Sequence, residues 1–589
     1  MARPIGNWTL VLDGSDLPSR ELIGGKAWSV ARMRSLGFPV PPAFVVTTRG
    51  CARFLETGHL PEGLDDELAA GIRWLEAETG RVFGGTPPLL VSVRSGAPIS
   101  MPGMMDTVLN LGMNTATERA LAAECGDAEF ARDTHRRFLE LYASIVLKTV
   151  VPPLAQSDLA EWRAAITDTA GTSVPQAVES QLHGAVRAVF DSWNSRRARR
   201  YREHHGIPDL LGTAVTVQAM VFGNLDQRSG TGVLFTRNPI TGAADPYGEY
   251  LAHAQGEDVV SGKFTPRPLV DMAVAVPDAH RELLLAARKL EELSGDVQDI
   301  EFTVERGKLF LLQTRAAKRA PQAAVRIAVE MVREGTIDIE AALSRVSAEQ
   351  VRVLLSPRIV ESELEAAVTL AAGEGACPGV GRGVVVTDSD EAERRAAAGE
   401  AVVLARRTTS PEDLHGMIAA RAVVTEHGGS TSHASVVSRA LGRPCVVGCG
   451  AGSVTALADR TVTVDGQSGN VYEGTLAVVE PDAADDPYLS ELAAWADSRA
   501  ALRVYALADA PTEAVAQLDD VDGAEDPEKI ERILAGLEGY RGARGGAIAT
   551  EAGVRAAAAA GLEFIVADPV LPALLLAAQS SRQVRDQRD

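Results

Sequence analysis

Residues 299–315 read DIEFTVERGKLFLLQTR. Ile300, Phe302 and Val304 alternate with Asp299, Glu301 and Thr303, and beyond Gly307 the apolar Phe310 and Leu312 alternate with Gln313 and Arg315. A period of two specifies strands, and a glycine between two such runs specifies a hairpin. Opposed side chains of a hairpin share a face, so placing both apolar sets together calls for an odd-numbered loop centred near Gly307. An even loop would flip one strand's set. The pattern predicts Phe302 and Leu312 in a core, with Asp299, Glu301, Gln313 and Arg315 crowded on the other face. Two carboxylates, an amide and a guanidinium suit Mg²⁺ and polyphosphate. The same four also suit a solvated face with a routine ion pair, and the spacing alone leaves both readings open.

A hairpin is marginal by itself, and the 589 residues around it supply several domains' worth of packing surface. Composition is globular, 46% hydrophobic and 23% charged, with 54 glycines and few aromatics. A formal charge of −21 argues against a chain-wide grip on nucleic acid or an anionic membrane. Five cysteines, Cys51, Cys125, Cys377, Cys445 and Cys449, lack zinc-site spacing and are expected as reduced, mostly buried thiols. No window has the length of a signal-peptide core or of a membrane span, so the expected compartment is the cytoplasm.

Residues 1–345 mix strand-like runs (LLVSVRSG, GTAVTVQAMVFG) with helical stretches such as AHRELLLAARKLEEL, which suggests one large, subdivided α/β unit. From Lys318 to about Ile359 the pattern is helical and amphipathic without turn chemistry before Ser356-Pro357, as expected of a connecting segment. Domain limits are set at 1–345, a linker at 346–375, a compact β/α domain at 376–478 and a weaker β/α tail at 479–589.

Within the third segment, GGSTSHASVVSR (428–439) places one histidine, His433, beside glycines and hydroxyls. Thr431 or Ser432 can cap a helix whose apolar positions are Ala434, Val436, Val437, Ala440 and Leu441, and Gly442 suits its end. His433 then lies in the first turn, where backbone N–H groups and the helix dipole favour a phosphate and disfavour an imidazolium. A neutral imidazole is what phosphoryl transfer to histidine needs. A capping or packing role also fits the position, and position alone does not decide.

GGSTSHASVVSRALGRPCVVGCG, with TTSPEDLHGM and ACPGVGRG before it, resembles the phosphohistidine motif of the pyruvate, phosphate dikinase family. IGGKAWSVARMRSLGFPVPPAFVVTT, VSVRSGAPISMPGMMDTVLNLGMN, FGNLDQRSGTGVLFTRNPITGAADPYGEYLAHAQGEDVVSG and VQDIEFTVERGKLFLLQTR resemble its ATP-binding domain, in the family's order, over residues 20 to 475. The resemblance implies an α/β multidomain fold: an ATP-grasp-like nucleotide-binding domain, a helical linker, a swivelling β/α phosphohistidine domain and a short degenerate β/α C-terminal remnant. It implies ATP as substrate, Mg²⁺ held by Asp299, Glu301 and Gln313, and nucleotide or phosphate contacts from Lys26, Arg94, Glu257, Asp299, Glu301, Gln313 and Arg315. His433 is the implied phosphoryl carrier, with Arg94 and Arg315 in catalytic roles. SMPGMMDT resembles the phosphate-using dikinases rather than the water-using synthases, which implies orthophosphate as co-substrate.

The family's pyruvate- or phosphoenolpyruvate-binding TIM barrel, about 250 residues, does not fit after residue 480. LSELAAWADSRAALRVYALADAPTEAV resembles only the barrel's first strand, with Tyr505 where an arginine is usual, and the cysteines end at Cys449. The expectation is a dikinase-like phosphotransferase in which a separate, barrel-containing component presents pyruvate or phosphoenolpyruvate. The alternatives are a kinase for another small acceptor and a non-catalytic phosphocarrier. No nucleic acid or membrane partner is expected, and a homodimer is allowed for.

Overall fold

The computed structural model describes residues 4–99, 101, 105–150, 159–204, 206–256, 258, 267–429, 432–518, 527–536 and 539–586. The chain divides into two compact units, Met1–Asn238 with Ala244–Lys318, and Pro239–Ala243 with Arg319–Asp589.

In the first unit, strands β1 (Thr9–Val11), β2 (Ala43–Val46), β3 (Val91–Gly96), β4 (Thr107–Leu111) and β5 (Ala214–Ala219) form a sheet of order β1-β2-β5-β3-β4. A second sheet has β6 (Gly230–Phe235), β7 (Tyr247–Ala252), β8 (Arg267–Pro268), β9 (Gln298–Glu305) and β10 (Lys308–Ala316) in the order β8-β7-β6-β9-β10. Helix α1 (Arg20–Ser35) turns Ile23, Ala27, Val30 and Met33 into an apolar cluster shared with α2 (Pro277–Ser294) and with Ile300, Phe302, Leu309 and Leu311 of the hairpin. Other helices bury Phe138, Val186 and Phe190 against Val91, Val93 and Val217 of the first sheet.

The connecting segment is three helices, α3 (Pro321–Arg333), α4 (Ile339–Arg345) and α5 (Ala348–Leu355). The breaks have local causes that the helical pattern conceals. Gly335 takes a left-handed φ of 73°, the Asp338 side chain accepts from Ala341 N–H, and Ser347 with Gln350 forms a reciprocal capping box. All three group with the second unit, since the first ends at Lys318.

An eight-stranded mixed sheet follows, built from β11 (Thr369–Ala372), β12 (Glu374–Cys377), β13 (Val380–Val386), β14 (Val402–Arg406), β15 (Ala422–Thr425), β16 (Cys445–Val447), β17 (Thr461–Asp465) and β18 (Asn470–Glu473). Its order is β11-β18-β17-β13-β14-β15-β16-β12, and β13 to β16 run parallel. Helical crossovers join these four strands. One of them, α6 (His433–Leu441), follows β15 and leads into β16. Val402 and Leu404 pack on the α6 side while Val403 and Ala405 pack on the other, which explains why β14 is a continuous apolar run.

The C-terminal region contains β19 (Arg503–Tyr505), β20 (Val515–Gln517), β21 (Gly542–Arg544) and β22 (Phe564–Val566), all parallel, in the order β19-β22-β21-β20. Among the described residues no helix is long and apolar enough to cross a membrane.

Candidate functional site

The hairpin brings its four polar residues together by a different route from the one the alternation suggests. The loop is Arg306-Gly307, two residues with φ of 52° and 81°, the backbone of a tight primed hairpin turn. With that even loop the core receives Leu309 and Leu311, both fully buried, in place of Phe310 and Leu312. Leu312 then bulges out of register, after which Glu301 opposes Gln313 and Asp299 opposes Arg315. One extra residue resets the parity, so the polar four share a surface.

Arg94 reaches the hairpin from β3 of the other sheet, its Nη2 3.4 Å from Gln313 Oε1 and 3.6 Å from Glu301 Oε2. Arg315 Nε donates to Asp299 Oδ2 at 2.7 Å. Lys26 comes from α1, whose first turn is broken at Gly24 (φ 74°, ψ 164°). A Cβ there would stand 1.8 Å from Gly96 O, so only glycine lets α1 lie against the end of β3. Burial, reinforced by Arg94, pushes the Lys26 ammonium down to about 7, with Glu301 opposing and Arg315 adding to the shift. Burial also raises the Asp299 carboxyl above its ordinary range, which its hydrogen bond to Arg315 only partly offsets. Shifts of this kind, one lysine lowered and one carboxyl raised by burial, cluster at functional sites.

Mg²⁺ fits the donors. Asp299 Oδ1 is buried with no hydrogen-bond partner, and Glu301 and Gln313 add one carboxylate and one amide oxygen. Among the described residues no group of three or more His, Cys, Asp or Glu is placed to hold a metal ion by itself. A hard cation here would therefore take further oxygens from water and phosphate, as Mg²⁺ does. Glu257 lies outside the described residues, as do Ser100 and Pro102 to Met104 of SMPGMMDT. The adjacent Asp258 is buried, accepting from Arg137 Nη1 at 2.9 Å and from Gln255 N–H at 2.9 Å.

In the second unit His433 is the first residue of α6. Ser432 is the cap: its Oγ accepts from Ser435 N–H at 3.4 Å, and Ser435 Oγ donates to Gly429 O at 2.8 Å. Thr431 lies outside the described residues. Ala434 and Val437 are buried on the sheet side, and Gly442 follows the helix at φ 62°. The loops after β14 and β15 both emerge at the carboxyl edge of adjacent parallel strands, where ligands of open α/β sheets gather. This juxtaposition sets Thr409 Oγ1 3.0 Å from His433 Nδ1. Thr409 is the residue that sequence patterns missed, since nothing in RRTTSPED distinguishes one hydroxyl from the next. Glu426, buried on the same edge, accepts from the N–H groups of Gly452 and Val454 at 2.8 and 3.2 Å and so braces the loop.

Residues 20–76 and 57–275 match the family described as pyruvate phosphate dikinase, AMP/ATP-binding domain, and residues 398–469 match the PEP-utilising enzyme, mobile domain. The pyruvate, phosphate dikinase of Rhizobium meliloti (strain 1021) is 42% identical over 544 residues, covering 84% of this chain and 60% of the relative. These two stretches of the chain are similar to the AMP/ATP-binding and mobile domains of the pyruvate, phosphate dikinases. The Clostridium symbiosum dikinase is 40% identical over 545 residues, covering 86% of this chain and 62% of its own length. The chloroplastic dikinase of Flaveria pringlei is 41% identical over 533 residues, covering 84% and 55%. The chain thus spans about three fifths of the length of these dikinases. Lys26 and Arg94 fall within the AMP/ATP-binding match and His433 within the mobile-domain match.

Proposed function

We propose that this chain performs the nucleotide half-reaction of a pyruvate, phosphate dikinase, in which ATP, orthophosphate and His433 give phospho-His433, AMP and pyrophosphate. The observation that carries the proposal is the set of contacts that links Lys26, Arg94 and Arg315 with Asp299, Glu301 and Gln313. Three cations match a polyphosphate, and the oxygen donors match the ion that accompanies it. Asp299, Glu301 and Gln313 would hold Mg²⁺, which when bound supplies charge neutralisation on the phosphate oxygens.

AMP as product requires the bond from the α-phosphorus bridging oxygen to the β-phosphorus to break. His433 Nε2 therefore forms its bond to the β-phosphorus, and AMP leaves with the electron pair. Orthophosphate then attacks the γ-phosphorus, the β–γ bridge breaks, pyrophosphate departs, and one phosphoryl group stays on Nε2. The reaction needs the Nδ1–H tautomer, whose lone pair is at Nε2, and Thr409 Oγ1, 3.0 Å from Nδ1, is placed to accept from that N–H. The guanidinium groups of Arg94 and Arg315 and the Lys26 ammonium offset charge as it shifts to the leaving oxygens.

Label in the β-phosphate should remain on the protein, acid-labile and base-stable, while γ-label should leave as pyrophosphate once orthophosphate is added. Label that stays after His433→Asn, in a variant that still binds ATP, would defeat the assignment.

Pyruvate is the proposed acceptor. Its site is assigned to a component other than residues 487–586, whose described strands number four against the eight of a TIM barrel. Phosphoenolpyruvate should form only when a barrel-containing protein is added to the phosphorylated chain, and its formation by the chain alone would refute this part. Since one imidazole must meet a nucleotide and then an acceptor nearly in line, the domain bearing His433 is proposed to swivel about the flanking segments.

A further inference from the structure

Beneath α6 two thiols face one another. Cys377 ends β12, Cys445 begins β16, and the two are direct partners in the antiparallel register. Opposed residues on such a pair share a face with Cβ atoms about 4.5–5.5 Å apart, while a disulfide needs about 3.5–4.5 Å, so closure asks for roughly an ångström of approach. The register slips between Gly375 and Cys377, and this irregularity gives the end of β12 room to adjust. Both residues are reduced thiols in one apolar cluster with Ala434 and Val437 of α6. Their sulfurs lie against the helix backbone, Cys377 Sγ 3.6 Å from Ser438 O and Cys445 Sγ 4.0 Å from Ala434 O. Cys377 also has an approach route. With Pro378, Gly379, Arg443 and Pro444 it lines an open cleft of about 1060 Å³ in the same unit.

We propose that Cys377 and Cys445 are a reversible disulfide site whose oxidant is a peroxide reaching Cys377 through this cleft. The Cys377 thiolate attacks one peroxide oxygen, giving a sulfenic acid and hydroxide. The Cys445 sulfur then displaces the hydroxyl, and with the two thiol protons the balance is one disulfide and two waters per hydrogen peroxide. Each sulfur gives up one electron, and the peroxide O–O bond takes both. The linkage removes both S–H groups from beneath the carbonyls of Ala434 and Ser438 and draws β12 toward β16, which loosens the seat of the helix that begins at His433. This holds whether or not His433 carries phosphate.

The full chain is treated with hydrogen peroxide, alkylated and mapped by mass spectrometry, with hydrogen exchange read over the amides of α6. The expected result is a Cys377–Cys445 link, reversed by dithiothreitol, with exchange in α6 faster by about threefold or more. Cys377→Ser and Cys445→Ser, checked for unchanged melting, should show neither the link nor the faster exchange, and Cys449→Ser should show both. The proposal is overturned if both thiols remain alkylatable while peroxide oxidises Cys125 or Cys449. It is overturned equally if the link forms and α6 exchange does not change.

Discussion

Lys26 is held in a state that its ligand should reverse. Its ammonium falls to about 7 in the fold against 10.5 for the ordinary group. Between those values the unfolded chain keeps a proton that the folded one has lost. Folding is therefore favoured progressively as pH rises through this window, and below its lower end the cost of burying the charge is felt in full. A bound polyphosphate restores the charge, so ATP binding near pH 8 should take up a proton. Calorimetry in two buffers of different ionisation enthalpy measures that uptake, and Lys26→Met should abolish it; equal uptake by the variant would point to another group. Glu301→Ala should lower ATP-dependent labelling of His433 about a hundredfold while stability falls by no more than about 1 kcal/mol, because the Glu301 side chain is 34% exposed and its ion pair with Arg94 is long at 3.6 Å. At the other site Thr409→Val should slow labelling about tenfold without weakening ATP binding, through loss of tautomer control. An unchanged rate would show that the 3.0 Å contact with Nδ1 is only packing.

At the scale of elements, the hairpin shows how a correct grouping can rest on an incorrect path. Alternation identified the two strands and the polar four, but alternation cannot see a bulge, and the bulge at Leu312 rather than an odd loop sets Gln313 opposite Glu301. Deleting Leu312 would make the hairpin regular and still pair Glu301 with Gln313. Labelling of His433 in that deletion should survive within about tenfold of the parent, and complete loss would mean that the bulge itself shapes the cleft. In the connecting segment the helical period was legible, while the caps at Asp338 and Ser347 that divide it are single residues inside an otherwise continuous pattern. The helix at His433 was legible to its ends, because its cap, its apolar face and Gly442 lie within a few residues of one another.

At the scale of the whole molecule, the swivel proposed above has a direct check. A cysteine pair engineered to tie the His433 domain to the nucleotide cleft should permit labelling from ATP yet stop transfer to an acceptor, and unimpaired transfer in the fully cross-linked protein would rule the motion out. Most strands and helices followed from the sequence by itself, since strand and helix periods and glycine turns act over a few residues, while the chemical class rested on the resemblance of long motifs to a known family. The sequence, through that resemblance, also marked Lys26, Arg94, Glu257, Asp299, Glu301, Gln313, Arg315 and His433 as candidates, of which Glu257 lies outside the described residues. Only the tertiary structure decided which of them meet. Arg94 joins the hairpin from another sheet, Lys26 is brought close by the approach of Gly24 to Gly96, and Thr409 meets His433 across adjacent strand ends. Those contacts depend on how whole sheets bury their faces, a balance summed over many residues that no local pattern records.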